Sequence, residues 1–148
     1  MQASRRRILA SIAGTAAIGA AGALPWIAHA TQNLLPAPRG RRAVIVGGGW
    51  GGLAAARRLR QLAPELEVVL LERNAAFWSC PLSNRWLADK LDGKLLQHDY
   101  AKAAQAFGYT FIRAEVTAID RERRQVVTGE GNLGYDWLVL AIGIRDDH

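Results

Sequence analysis

The chain has 148 residues, 50% of them hydrophobic and 22% charged, a globular composition with room for about one domain. Its 19 basic side chains outnumber 13 acidic ones, but Arg5, Arg6 and Arg7 lie in an acid-free stretch from Met1 to Ala30, which leaves 16 against 13 in the remainder. An excess that small, with no basic tract interleaved with aromatics, gives no electrostatic footprint for nucleic acid. A single cysteine, Cys80, excludes an intrachain disulfide and a multi-cysteine metal site.

Met1 to Ala30 reads as a charged start, an Ala/Gly/Ile-rich apolar run from Ile8 to Leu24, then Pro25 and the small-residue site Ala28-His29-Ala30, the three regions of an export signal. The order Ser4-Arg5-Arg6-Arg7-Ile8-Leu9 resembles the twin-arginine export signature. Gly14, Gly19 and Gly22 dilute the run, and Ala and Gly partition into lipid far less well than Leu or Ile. The competing reading is an uncleaved membrane-spanning helix, for which about twenty apolar residues suffice, but Pro25 and His29 fall where such a helix should continue. The expectation is a twin-arginine signal over residues 1–30, delivery to the periplasm and no stable membrane anchor. Thr31 to Gly40, with Pro36 and Pro38, predicts a linker without regular structure.

The domain is expected over residues 41–148. Ala43-Val44-Ile45-Val46 is apolar on both faces, as a strand inside a parallel sheet must be. Gly47-Gly48-Gly49-Trp50-Gly51-Gly52 follows, then the helix former Leu53 to Arg60 before Pro64, then a second strand, Glu67 to Glu72. Strand, glycine turn, helix, strand and acid make one βαβ unit of Rossmann type. Gly47, Gly49 and Gly52 fill the three positions of the dinucleotide fingerprint. The first suits a tight turn, the second lets a pyrophosphate approach bare backbone, and the third lets the helix pack against the strand. The helix N-terminus offers N–H groups and the positive end of its dipole to phosphate. Glu72, twenty residues past Gly52, stands where a carboxylate accepts from ribose hydroxyls. An acid there disfavours a 2′-phosphate, and with it NADP.

Tyr109 to Asp120 predicts two short strands around Ala114-Glu115. After the charged turn Arg121 to Arg124 come Gln125 to Thr128, a turn at Gly129 to Asn132, and Tyr135 to Gly143, a meander feeding a buried strand that stops at glycine. A meander inserted after the third parallel strand resembles the FAD domain of the flavin-binding pyridine nucleotide-disulfide oxidoreductases. That resemblance implies FAD as cofactor, an adenine contact from the backbone of Val116, and a final strand whose Ala141 and Gly143 run beside the flavin. Ile142 stands where the family has threonine, so a hydroxyl role there is lost.

Glu72-Arg73-Asn74, Phe77-Trp78-Ser79-Cys80-Pro81 and Leu82-Ser83-Asn84 sharpen the resemblance toward the flavoprotein subunits of flavocytochrome c sulfide dehydrogenases. In those proteins the matching cysteine is bonded to the 8α-methyl of FAD, the substrate is sulfide and electrons pass to a cytochrome c subunit. Pro81 departs from the aromatic often found there. Two other readings of Cys80 stay open: a buried small apolar residue, or a redox thiol as in sulfide:quinone reductases, a chemistry that needs partner cysteines. The resemblance also implies further domains, whereas the sequence stops at Asp146-Asp147-His148. The expected architecture is therefore an α/β, Rossmann-like, incomplete FAD-binding domain, too short to act alone. The alternatives are an inert dinucleotide-binding module and a quinone reductase relative. Trp50, Trp78, Trp86 and Trp137 are expected to pack in the core or on a cofactor wall. His98 is expected at the surface, just ahead of a helix from Ala101 to Phe107 capped by Asp99.

Overall fold

The computed structural model describes residues 33–144; the predicted export signal lies outside the described residues. The body is a parallel sheet of four strands, β1 (Arg42–Val46), β2 (Glu67–Glu72), β5 (Thr110–Arg113) and β9 (Trp137–Leu140), in the spatial order β5-β2-β1-β9. Such a sheet needs a cover on both faces, because parallel strands are joined by crossovers that run over them. Alternation along β1 and β2 assigns the covers. Ala43, Ile45, Val68 and Leu70 face α1 (Trp50–Leu62) and α3 (Tyr100–Phe107), whereas Val44, Val46, Val69 and Leu71 face the meander through Val126 and Leu133.

The first two crossovers differ in kind. Helix α1 connects β1 to β2, buries Gly52 and Ala56, and closes on Ala63, whose N–H donates to the Leu59 carbonyl, ahead of Pro64. Between β2 and β5 the chain runs through β3 (Ala76–Trp78), α2 (Ser83–Leu87), a 3-10 turn, β4 (Gln97–Asp99) and α3. Strands β3 and β4 pair antiparallel as a separate two-stranded ribbon. The Asp99 carboxylate caps α3 by accepting from the Lys102 N–H at 2.9 Å, and Gly108 ends it in the left-handed region at φ 72°. The helix starts one residue earlier than the sequence suggests, so Tyr100 belongs to it.

The meander is β6 (Val116–Asp120), β7 (Gln125–Thr128) and β8 (Asn132–Gly134), all antiparallel. Asn132, expected in a turn, is thus the first residue of a strand. The expectation of a buried final strand is corrected: β9 covers only Trp137–Leu140 and pairs with β1 alone, leaving Trp137 and Leu140 exposed at the sheet edge. Residues 33–40 carry no helix or strand beyond one bridge from Asn33 to Asn132, yet they are packed down. Leu34 and Leu35 rest on the meander-side core, and the Arg42 guanidinium donates to the Pro36 carbonyl at 2.6 Å. Arg42 is itself buried, with its charge met by Glu67 at 2.9 Å and its main-chain N–H donated to Asp136 at 2.8 Å. No helix among the described residues is long and apolar enough to cross a membrane.

Candidate functional site

The glycine turn lies at the carboxyl end of β1, beside the ends of β2 and β9. Gly47 sits at φ 100°, which only glycine adopts without strain, and a Cβ there would overlap the carbonyl of Ala141. A Cβ on Gly52 would overlap the Gly47 carbonyl, so the bare backbone is what lets α1 dock on the strand. Gly49 has the opposite surroundings: it is exposed, and a Cβ would meet nothing within 4 Å. The three glycines of the motif therefore divide into two that pack against protein and one that faces open space, where a ligand backbone contact belongs.

Gly48, read from sequence only as part of the turn, is the most constrained of the set. Its N–H donates to Glu72 Oε2 at 2.8 Å and its carbonyl accepts from the Tyr100 hydroxyl at 2.7 Å. The other carboxylate oxygen of Glu72 accepts from the main-chain N–H and the side-chain amide of Asn74, at 2.9 and 2.7 Å. Glu72 thus links the glycine turn to the loop after β2 while keeping one lone-pair site on Oε2 for a further donor. Arg73 reaches across to Glu115 at 3.7 Å, both side chains being solvent-exposed. Burial, then the charge of Glu72 and then Tyr109, push the Tyr100 hydroxyl up to about 12, so it stays protonated and donates.

These groups line a cavity of about 860 Å³, within the size range of sites for small molecules and cofactors. Its wall includes Gly47, Gly49, Glu72, Arg73, Asn74, Val116 and Gly143 from the sequence-predicted set, joined by Phe77, Trp78, Tyr100 and Glu115. Gly48, Gly51, Gly52 and Ala141 are not on that wall. Trp50 begins α1 and packs its ring edge-on against Phe77, with centroids 5.0 Å apart. Gly49 precedes α1 without any side-chain cap, which leaves the first-turn N–H groups to be met by water or a ligand. An open glycine, an acid tied to the turn and an uncapped helix start along one cavity fit a dinucleotide.

Cys80 is exposed, two residues past β3 and Trp78, and outside the cavity wall. Its exposure overturns the reading of it as a buried packing residue. The four tryptophans are likewise not core residues. Trp50, Trp78, Trp86 and Trp137 are all about half exposed, and only Trp78 reaches the cavity wall. His98 is exposed and stacks on Phe77. Tyr100 escaped sequence reasoning because its partner Gly48 is 52 residues away. The signal that could have raised it was a tyrosine directly after a helix-capping aspartate.

Residues 41–147 match the family model described as pyridine nucleotide-disulphide oxidoreductase. The demethylphylloquinone reductase of Synechocystis sp. is 32% identical over 111 residues, which cover 69% of this chain and 28% of that protein. The flavoprotein chain of the flavocytochrome c sulfide dehydrogenase of Chlorobaculum thiosulfatiphilum is 50% identical over 44 residues, 30% of this chain and 92% of that sequence. Among solved structures, the sulfide:quinone oxidoreductase of Aquifex aeolicus superposes with a TM-score of 0.67 at 29% identity, over 72% of this chain and 25% of that one. The chain thus spans about a quarter of the length of the first and last of these. The family and its flavoprotein relative imply a flavin of the FAD type as cofactor. The Rossmann-like sheet, the glycine turn and the match over residues 41–147 place this chain in the pyridine nucleotide-disulphide oxidoreductase family.

Proposed function

We propose that this chain is the FAD-binding part of an exported oxidoreductase that takes electrons from sulfide or another reduced sulfur compound and passes them to a cytochrome c partner. The observation that carries the cofactor assignment is the Glu72 carboxylate, bonded at once to Gly48 of the turn and to Asn74, on a cavity whose glycine Gly49 is open. In this reading Gly49 and the start of α1 receive the pyrophosphate, Glu72 receives the ribose and the backbone of Val116 meets the adenine. Ala141 and Gly143 run beside the ring system. A bound flavin supplies a ring that accepts two electrons; the residues named bind it, orient it and, through Phe77 and Trp78, keep water from one side of the cavity.

The sulfide assignment is supported by the identity with the sulfide dehydrogenase flavoprotein chain and by the order of residues from Glu72 to Asn84. The same likeness supports Cys80 as the covalent attachment point of the flavin, and its exposure leaves the thiol accessible. The Ser4 to Leu9 pattern supports twin-arginine export to the periplasm. A quinone in place of cytochrome c is the competing acceptor, favoured by the likeness to the Aquifex sulfide:quinone oxidoreductase.

The deciding experiment is mass spectrometry of the tryptic peptide Asn74 to Arg85 from the full-length protein, followed by sulfide-dependent reduction of cytochrome c and of a soluble quinone in parallel. The expected result is a flavin-bearing peptide, lost in Cys80→Ser, with cytochrome c as the faster acceptor. An unmodified thiol in yellow protein removes the covalent link, and reduction of quinone alone replaces the acceptor. Export is tested by changing Arg5 and Arg6 to lysine, which is expected to block secretion; unchanged secretion removes the twin-arginine assignment.

A further inference from the structure

We infer that Tyr100 is a positioning residue for the phosphate end of the cavity, holding the Gly48 carbonyl so that the adjoining Gly49 N–H is fixed as a donor for the ligand. The inference rests on the dinucleotide reading of the cavity and adds to it a residue from a different element, 52 positions along the chain. The Gly48 carbonyl and the Gly49 N–H belong to one planar trans peptide unit and point in opposite directions. Holding the carbonyl against Tyr100 therefore turns that N–H to the other side. Gly49 lies on the cavity wall with open space around it, and Tyr100, on the same wall, is only 3% exposed, with its hydroxyl turned to the Gly48 carbonyl.

The grip is double. Glu72 takes the Gly48 N–H at 2.8 Å and Tyr100 serves the carbonyl at 2.7 Å, so both peptide planes flanking the Gly48 Cα are restrained. The Tyr100 ring is fixed in turn, stacked on Phe111 with centroids 5.2 Å apart, and it fills the place where a Gly48 Cβ would come within 2.5 Å. The raised acidity limit of the hydroxyl, set by burial and Glu72, keeps it a donor at every physiological pH.

The same core provides a control. Tyr109 is also buried in the cluster with Tyr100, but its hydroxyl has no hydrogen-bond partner among the described residues. Tyr100→Phe and Tyr109→Phe therefore delete the same atom from the same core, once with a partner on the glycine turn and once without.

The test compares both variants with the unsubstituted full-length protein by FAD titration, by hydrogen–deuterium exchange of the 47–52 segment without added flavin, and by urea denaturation. Tyr100→Phe is expected to weaken FAD binding about tenfold, since a buried carbonyl loses its donor, and to speed exchange in the turn more than in β1 and β2. Tyr109→Phe is expected to leave affinity within about twofold. Exchange that rises evenly across β1, β2 and the turn, or not at all, overturns the inference and makes Tyr100 a packing residue. If the full-length protein takes up no FAD, the dinucleotide reading falls, while the exchange comparison still decides whether Tyr100 holds the turn.

Discussion

Strands β1 and β2 bury every residue from Ala43 to Val46 and from Val68 to Leu71, whereas from Cys80 to Lys90 every residue but Ser83 is exposed. The first region receives the phosphate end of the proposed ligand and the second carries the proposed attachment point. Long-range partners fix the glycine turn: Glu72 from β2, Tyr100 from α3 and Ala141 after β9. The Cys80 loop has the local bond from the Ser83 N–H to the Cys80 carbonyl at 3.0 Å and one tie further along the chain, from the Ser79 N–H to the Leu96 carbonyl at 2.8 Å, with Leu82 in the left-handed region at φ 70°. A segment with few buried apolar contacts opens at low free energy. The phosphate end is therefore preorganised, and the Cys80 end is adaptable.

The largest effect expected from that contrast is at Gly52. Gly52→Val forces a side chain into the Gly47 carbonyl and is expected to destabilise the fold by about 4 kcal/mol, read from the urea midpoint. Next comes a matched pair of leucines. Leu70→Ala, at a site with no exposure, is expected to lose about 3 kcal/mol, and Leu87→Ala in the exposed α2 about 0.5 kcal/mol or less. Equal losses would erase the distinction between the two regions.

Gly49→Val sharpens the comparison from the ligand side. Because nothing lies within 4 Å of its Cβ position, stability is expected to change by about 1 kcal/mol or less, while flavin retention collapses. Protein that still purifies with full flavin content would show that the turn is not the phosphate site. A further effect is an alkaline one at Tyr100. Its folded-state value of about 12 lies above the ordinary 10.0, so the folded chain holds the proton more tightly than the unfolded chain. The contribution is complete below 10.0 and is lost as pH rises toward 12. Denaturation curves across that window are expected to show a downward slope that is shallower in Tyr100→Phe; an identical slope in the variant would assign it to other groups.

How far the sequence carries the structure depends on the range of the contact. Strand β1, helix α1, strand β2 and the different surroundings of Gly47, Gly49 and Gly52 follow from spacing within thirty residues, because local periodicity and turn chemistry decide them. The meander was legible from its turns, although its third strand was not, since Asn132-Leu133-Gly134 is short and glycine-bounded. The exposure of β9 was illegible. An apolar run such as Leu138-Val139-Leu140 reports the strand, and not whether a neighbour stands on its far side. Arg42 and Tyr100 were missed for a related reason. A buried arginine is recognised by Glu67 and Pro36, and a buried tyrosine by Gly48, only after the chain has folded. Of the tryptophans, Trp78 stands on the cavity wall as one of the two expected placements, whereas the core placement that aromatic character suggests fails for Trp50, Trp86 and Trp137, all about half exposed.

The wall that Ala141 provides behind the glycine turn has a consequence for the order in which the protein is made. Strand β1, helix α1 and strand β2 contact one another over short stretches of chain and can associate soon after synthesis. Gly47, however, packs against the Ala141 carbonyl, and the Ala141 N–H donates to Val46 at 2.8 Å, contacts that wait for almost a hundred further residues. Such non-local closure is slow compared with local pairing. On the ribosome the turn therefore stays unfinished until the segment beyond β9 has emerged. Cofactor uptake is placed after that moment, although the turn itself is among the first parts of the domain to be translated.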